Sequence, residues 1–170
     1  TGESGSGKTT IARVISGMLP FEGGEMYIDG NPTSHYNAEE WEAYRRDQIS
    51  FISQNYGILP GNTVLENVEA ALRYYGANKA DANSKALEIL AKVELSGFET
   101  RKASKLSSGQ KQRLSIARAL AKPSRILVAD EPTGNLDRAN SDKIISLLAL
   151  AAKDRLVILI THEFEEAEGD

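Results

Sequence analysis

The chain has 170 residues, with 20 basic and 24 acidic side chains and a formal net charge of −4. Hydrophobic residues make up 41% and charged residues 26%, the balance of a globular domain able to bury a core, which excludes wholesale disorder and collagen-like repeats. Cysteine is absent, which removes disulfides, thiolate nucleophiles and Cys-based metal sites; uncharged apolar runs such as Leu156 to Ile160 are far too short to span a bilayer, no signal-peptide pattern is expected, and the mild acidity argues against a nucleic-acid surface.

In chain order, residues 8–18 predict a helix opening directly from a Gly-rich loop. GGEMYIDG at 23–30 alternates between glycines and predicts a short strand with turns. Residues 38–47 predict a solvated helix, and ISFIS at 49–53 a strand ending at Gln54. A loop with Gly57, Pro60 and Gly61 follows. Thr63 and Glu66 have the spacing of a capping box, so a helix is expected from there to about Tyr75. A second helix is expected over 81–95, with Ala86, Leu87, Ile89, Leu90 and Val93 on one side. After a Ser/Gly/Lys-rich loop at 96–108, a helix runs to Ala121. RILVAD at 125–130 is nearly continuous in apolar residues, as a strand buried on both faces requires. A helix at 137–152, a buried strand at 155–161 and a final helix after His162 complete the reading. Helices alternating with apolar strands imply an α/β fold with a parallel core. Residues 63–108 carry helices and no strand signal, so a helical lobe is expected there, set into a core made of 1–62 and 109–170.

GESGSGKT at 2–9 fits the phosphate-loop pattern G-x-x-x-x-G-K-[ST]. Its glycines admit positive φ and let backbone amides approach an anion closely, and the loop ends at a helix N-terminus, where unpaired N–H groups and the dipole favour phosphate. Lys8 would reach the β- and γ-phosphates as a point charge, and the Thr9 hydroxyl would sit on Mg²⁺ beside phosphate, water and carboxylate oxygens. Gly2, Glu3, Ser4, Gly5, Ser6, Gly7 and Thr10 complete the cradle. By itself the loop says only that nucleotide phosphates bind.

Asp130 and Glu131 stand where the apolar strand ends, the end at which open α/β sheets bind ligands. Asp130 is the metal candidate, and Glu131 is placed to polarise a water for attack on a γ-phosphate. LSSGQ at 106–110 begins the next candidate helix. Ser107 there is a favoured N-cap and nothing more on the plain reading; on the sharper one, Ser107, Ser108, Gly109 and Gln110 form a second anion cradle. From Thr100 to Ala129 there are eight basic residues and no acidic one. Most of these are expected on a solvated helix face, and no aromatic residue lies among them to stack on bases. Asp137 alone reads as an ordinary N-cap, Gln54 as a polar strand end and His162 as a structural histidine.

Taken together and in this order, the motifs resemble the nucleotide-binding domain of ABC transporters. GESGSGKT resembles Walker A, Gln54 in FISQNYGIL the Q-loop, LSSGQ the signature LSGGQ, RILVADE Walker B with its following glutamate, GNLD ending at Asp137 the D-loop, and His162 the H-loop switch. Ser108 stands where the signature has glycine. The resemblance implies a P-loop NTPase (RecA-like) core, incomplete at its N-terminus. The family's first strands and adenine-stacking aromatic would precede Thr1, and its last helices would follow Asp170. It implies ATP and Mg²⁺ as ligands and a head-to-tail dimer with a second ABC ATPase domain. In that dimer Lys8 neutralises phosphate, Thr9 and Asp130 organise Mg²⁺, Gln54 is a catalytic residue that senses the metal and the water, Glu131 is the base and His162 contacts the γ-phosphate. Ser107 and Gly109 of the other copy cap that phosphate, and Asp137 bridges the subunits. It further implies transmembrane permease partners, no nucleic acid, no direct membrane insertion and a peripheral place on the cytoplasmic face of the cell membrane. EPTGNLD at 131–137 is similar to the subgroup of lipoprotein-releasing, macrolide- or peptide-exporting and cell-division ATPases, which implies a bacterial exporter. The alternative is a soluble ABC-type ATPase of translation, DNA repair or chromosome organisation; the short Lys8-to-Ser107 separation and the lack of heptads disfavour the chromosome type.

Overall fold

Leu127, Val128 and Ala129 are fully buried in the middle of one strand, and the rest of the fold is arranged to cover them. The computed structural model describes residues 7–53, 56–134 and 136–161. Its elements are α1 (Lys8–Ile15), β1 (Tyr27–Ile28), β2 (Asn31–Pro32), α2 (Ala38–Asp47), β3 (Ile49–Ile52), α3 (Val64–Tyr74), α4 (Lys79–Lys92), α5 (Ser108–Ala121), β4 (Ile126–Asp130), α6 (Arg138–Ala151) and β5 (Leu156–Ile160). A single 3-10 turn at Ala103–Lys105 precedes α5.

The central sheet is parallel in the order β3-β4-β5, with Ile52 opposite Ala129 and Asp130 opposite Ile160. Side chains alternate across it. On one face Leu127 and Ala129 join the large cluster formed with α3, α4, α5 and α6. On the other, Val128 and Ile160 pack on Ala12 of α1, flanked by Phe51, Ile126 and Ile158. Each fully buried Leu, Ile or Val contributes about 1.5–3 kcal/mol of transfer free energy. The buried cluster runs without a break from Val64, Val68 and Leu90 of the helical segment to Leu114 of α5 and the sheet, so α5 is the shared wall of both.

Most expected elements form within a residue or two of their predicted bounds. The first helix ends at Ile15, three residues short of the expected 18, because Gly17 at φ 66 closes it. Met18 N donates to Arg13 O at 2.7 Å and Gly17 N to Val14 O at 2.9 Å, a Schellman termination. The strand expected at 23–30 shrinks to a two-residue antiparallel pairing of β1 with β2. The helix expected over 81–95 starts earlier, capped by Asn78, whose side chain accepts from Asp81 N, and ends at Lys92. Leu87 is not on its buried side but 42% exposed, while Ala82 is fully buried. The final helix after His162 lies outside the described residues.

Candidate functional site

Gly7 precedes α1 at φ 85, a left-handed conformation that costs glycine nothing and would strain any other residue. It turns the chain so that Lys8, Thr9 and Thr10 form the first turn of the helix, with Ile11 N donating back to Gly7 O at 2.9 Å. Three positions along the same helix, Ala12 is fully buried against Val128 and Ile160. A methyl at that position lets α1 approach the sheet closely, and Thr9, one turn earlier on the same face, is carried to the end of β4. There its Oγ1 donates to Asp130 Oδ1 at 3.1 Å.

Asp130 shares the face of β4 that carries Ile126 and Val128, and it is only 9% exposed. Glu131 leaves the sheet at once. Its φ is 48, an uncommon value for a non-glycine residue, and its N–H donates to Ile160 O at 2.8 Å, pinning the strained residue to the end of β5. Such a conformation costs on the order of 1–3 kcal/mol and is typical of sites where a side chain must be aimed. Pro132 and Gly134 complete the turn, with Gly134 N donating to Glu131 O at 3.3 Å. A hydroxyl and a carboxylate side by side, next to a second carboxylate, are hard oxygen donors suited to Mg²⁺. Among the described residues no group of three or more His, Cys, Asp or Glu could hold a metal ion. Mg²⁺ commonly takes one or two carboxylates and fills its remaining positions with water and phosphate.

The second candidate cradle is the N-terminus of α5. Ser107 and Gln110 form a reciprocal capping box: Gln110 N donates to Ser107 Oγ at 3.3 Å and Ser107 N donates to Gln110 Oε1 at 3.0 Å. The plain reading of Ser107 as a cap therefore holds. Capping uses the hydroxyl oxygen as acceptor and leaves its proton to donate elsewhere, while the amides of Ser108 and Gly109 belong to the helix turn that has no internal acceptors. Ser107 and Ser108 are exposed and Gly109 is buried. Asp137 caps α6 without a reciprocal box, its side chain accepting from Asn140 N at 2.9 Å. That amide holds its carboxyl below the ordinary aspartate range, helped by the Asn140 side chain.

In the basic run Arg101, Lys102, Lys105 and Arg125 are exposed as expected, but Lys111, Arg113, Arg118 and Lys122 are partly or fully buried. Arg113 is 8% exposed, with its guanidinium 3.3 Å from Glu94, which also pairs with Lys143 at 2.7 Å. Arg118 donates to the Oδ1 of the fully buried Asn67 at 3.0 Å, and burial pushes its pKa down. These charges are structural ties between helices. Their burial follows from the contacts of α5 on nearly every side, which charge counting along the sequence does not reveal.

Gly2, Glu3, Ser4, Gly5, Ser6, Gln54 and His162 lie outside the described residues. The described ones fall into two groups. Gly7, Lys8, Thr9, Asp130 and Glu131 gather where α1 meets the ends of β4 and β5, with Thr10 exposed on the same first turn of α1. Ser107, Ser108, Gly109, Gln110 and Asp137 gather at the N-termini of α5 and α6. One residue of the second group went unnoticed in the sequence, Asn140. An asparagine three positions after an N-cap aspartate is a local signal, but its neighbour across the helix pair has none.

The ABC transporter family profile matches residues 1–134. The chain belongs to the ABC transporter family. It is an ABC-type ATPase domain, with the α/β fold and parallel sheet of that family's cassettes. It is 37% identical to the ABC transporter ATP-binding protein YtrE of Bacillus subtilis over 168 residues, 98% of this chain and 73% of that protein. It is 39% identical to the macrolide export ATP-binding/permease protein MacB of Brucella abortus, again over 98% of this chain but only 26% of the much longer MacB. The dimeric structure of the ATP-binding cassette MJ0796 in a post-hydrolysis state bound to ADP and Pi superposes with a TM-score of 0.83 at 37% identity, covering 95% of this chain and 72% of that one. No helix among the described residues is long and apolar enough to cross a membrane.

Proposed function

We propose that the protein hydrolyses ATP with Mg²⁺ at a site completed by a second copy, and that the cycle of dimer closure and opening drives the transmembrane permease subunits of a bacterial exporter. The observation that carries this reading is the contact of Thr9 with Asp130. It joins a helix N-terminus suited to phosphate with a carboxylate suited to a divalent cation. Lys8 neutralises charge on the β- and γ-phosphates and Thr9 and Asp130 hold Mg²⁺, together with Gln54. Mg²⁺ supplies charge neutralisation on the triphosphate. Glu131 takes the proton of the attacking water and His162 contacts the γ-phosphate. From the partner, Ser107 donates its hydroxyl proton to that phosphate, the amides of Ser108 and Gly109 add to the cradle, and Asp137 meets the facing subunit. The catalytic work is positioning and electrostatics, as phosphoryl transfer requires.

Two likenesses support the finer parts. The MJ0796 cassette was solved as a dimer with ADP and Pi, and MacB is named as a macrolide exporter. The lobe at 63–108 ends in the Ser107 cradle, and an open cleft of about 370 Å³ beside Ser53, Tyr56, Gly57 and Tyr75 suits contact with a permease. Such a protein would sit on the cytoplasmic face of the membrane. The test is phosphate release as a function of protein concentration. A site shared by two copies predicts that activity per molecule rises with concentration until the dimer is saturated. Activity that is already maximal under conditions where the protein is monomeric would show that one copy suffices and would remove the shared site.

A further inference from the structure

Gly109 and Asp137 belong to different helices, and a single side chain fills the space between them. Asn140 Nδ2 lies 3.0 Å from Asp137 Oδ1 and 2.9 Å from Oδ2. An ionised carboxylate only accepts, so the amide nitrogen must face it, and the amide oxygen then points the other way, at Gly109. A Cβ added to Gly109 would stand 2.7 Å from Asn140 Oδ1 and 2.9 Å from its Cγ. The approach is therefore possible only because residue 109 has no side chain.

We infer that Asn140 is a positioning residue of the shared ATP site, locking the N-terminal turn of α5 and the Asp137 carboxylate into one rigid unit that each copy presents to its partner's nucleotide. This rests on the two-copy reading above. Without the lock, Ser107 with Ser108 and Gly109 on one helix and Asp137 on the other would reach the partner as two independent elements, each with its own ordering cost. The Asn140 side chain adds, after the Asn140 backbone amide, to the lowering of the Asp137 pKa.

The test uses ATP-driven dimerisation, followed by light scattering in a Glu131→Gln background that slows hydrolysis. Asn140→Ala should weaken the ATP-bound dimer about tenfold, the order expected when a side chain and its helix end must be ordered on association instead of beforehand, with monomer ATP affinity unchanged. Asn140→Asp keeps the shape but sets two carboxylates face to face; it should weaken the dimer further and raise the Asp137 pKa, read by carboxyl NMR. Gly109→Ala should weaken the dimer when Asn140 is present and add little on top of Asn140→Ala, because the clash has gone. Equal dimerisation by Asn140→Ala and its parent, or additive losses in the Gly109 and Asn140 pair, would overturn the inference alone. If the Glu131→Gln parent itself stays monomeric with ATP, the two-copy reading falls and this inference falls with it.

Discussion

Thr9 and Asp130 stand 121 positions apart in the chain and 3.1 Å apart at the head of the sheet. The hydroxyl comes from the first turn of α1 and the carboxylate from the last residue of β4, and the small Ala12 between α1 and the sheet makes the meeting possible. Replacing Asp130 by Asn keeps the hydrogen-bond acceptor for Thr9 but removes the charge that a divalent cation needs. ATP binding by Asp130→Asn should lose its dependence on Mg²⁺ while the fold is kept. A titration with and without Mg²⁺ decides; an unchanged Mg²⁺ requirement would take Asp130 out of the metal site.

Glu131 is assigned the base, and Glu131→Gln is nearly isosteric, so the strained backbone at φ 48 and its bond to Ile160 O are kept. Hydrolysis should fall roughly 10²–10⁴-fold, as for loss of a general base, with ATP still bound. Turnover equal to the parent would exclude Glu131 from the proton transfer.

Much of this arrangement was legible beforehand, and for local reasons. The Gly-Lys-Thr run and the apolar strand ending in Asp130 each state their chemistry within a few residues, and Thr63 with Glu66 announces its own helix start, with Glu66 N donating to Thr63 Oγ1 at 3.1 Å. What escaped depends on packing between distant segments. Leu87 repeats the helical apolar spacing yet faces outward, because the seat beneath α4 is taken by Ala82, Ala86 and Leu90. Arg113 and Arg118 look like solvated charges until α5 is seen enclosed by its neighbours. Asn140 shows nothing in sequence of its approach to Gly109.

Gly17 ends α1 in the left-handed region, and an added Cβ would lie 2.7 Å from Trp41 Cε3 and 3.3 Å from Tyr44 Cδ1. Gly17→Ala combines an unfavourable φ with a clash against packed rings and should cost about 1–3 kcal/mol. A denaturant midpoint equal to the parent would show that the Trp41 side of the molecule yields freely. Because Lys8 and Thr9 ride on the same helix, nucleotide affinity should fall with it.

Tyr44 donates its hydroxyl proton to Ile15 O at 3.0 Å, and burial raises its pKa to about 12. Folding thus favours the protonated phenol. The stabilisation is complete below the ordinary tyrosine value of about 10 and is lost as pH rises from there through about 12. Tyr44→Phe should be less stable than the parent at neutral pH and lose less stability across that alkaline window. Identical alkaline melting curves for the two proteins would contradict the assignment.

The central claim is that one copy's α1 cradle and its partner's α5 cradle enclose the same triphosphate. The direct measurement is the mass of the Glu131→Gln protein by light scattering as ATP is added, with and without Ser107→Arg. The exposed N-cap serine can be exchanged for arginine without entering the core, so monomer ATP affinity should persist. The account predicts a dimer for Glu131→Gln and a monomer once Ser107 is arginine. A dimer that forms equally well with Arg at position 107 would contradict it.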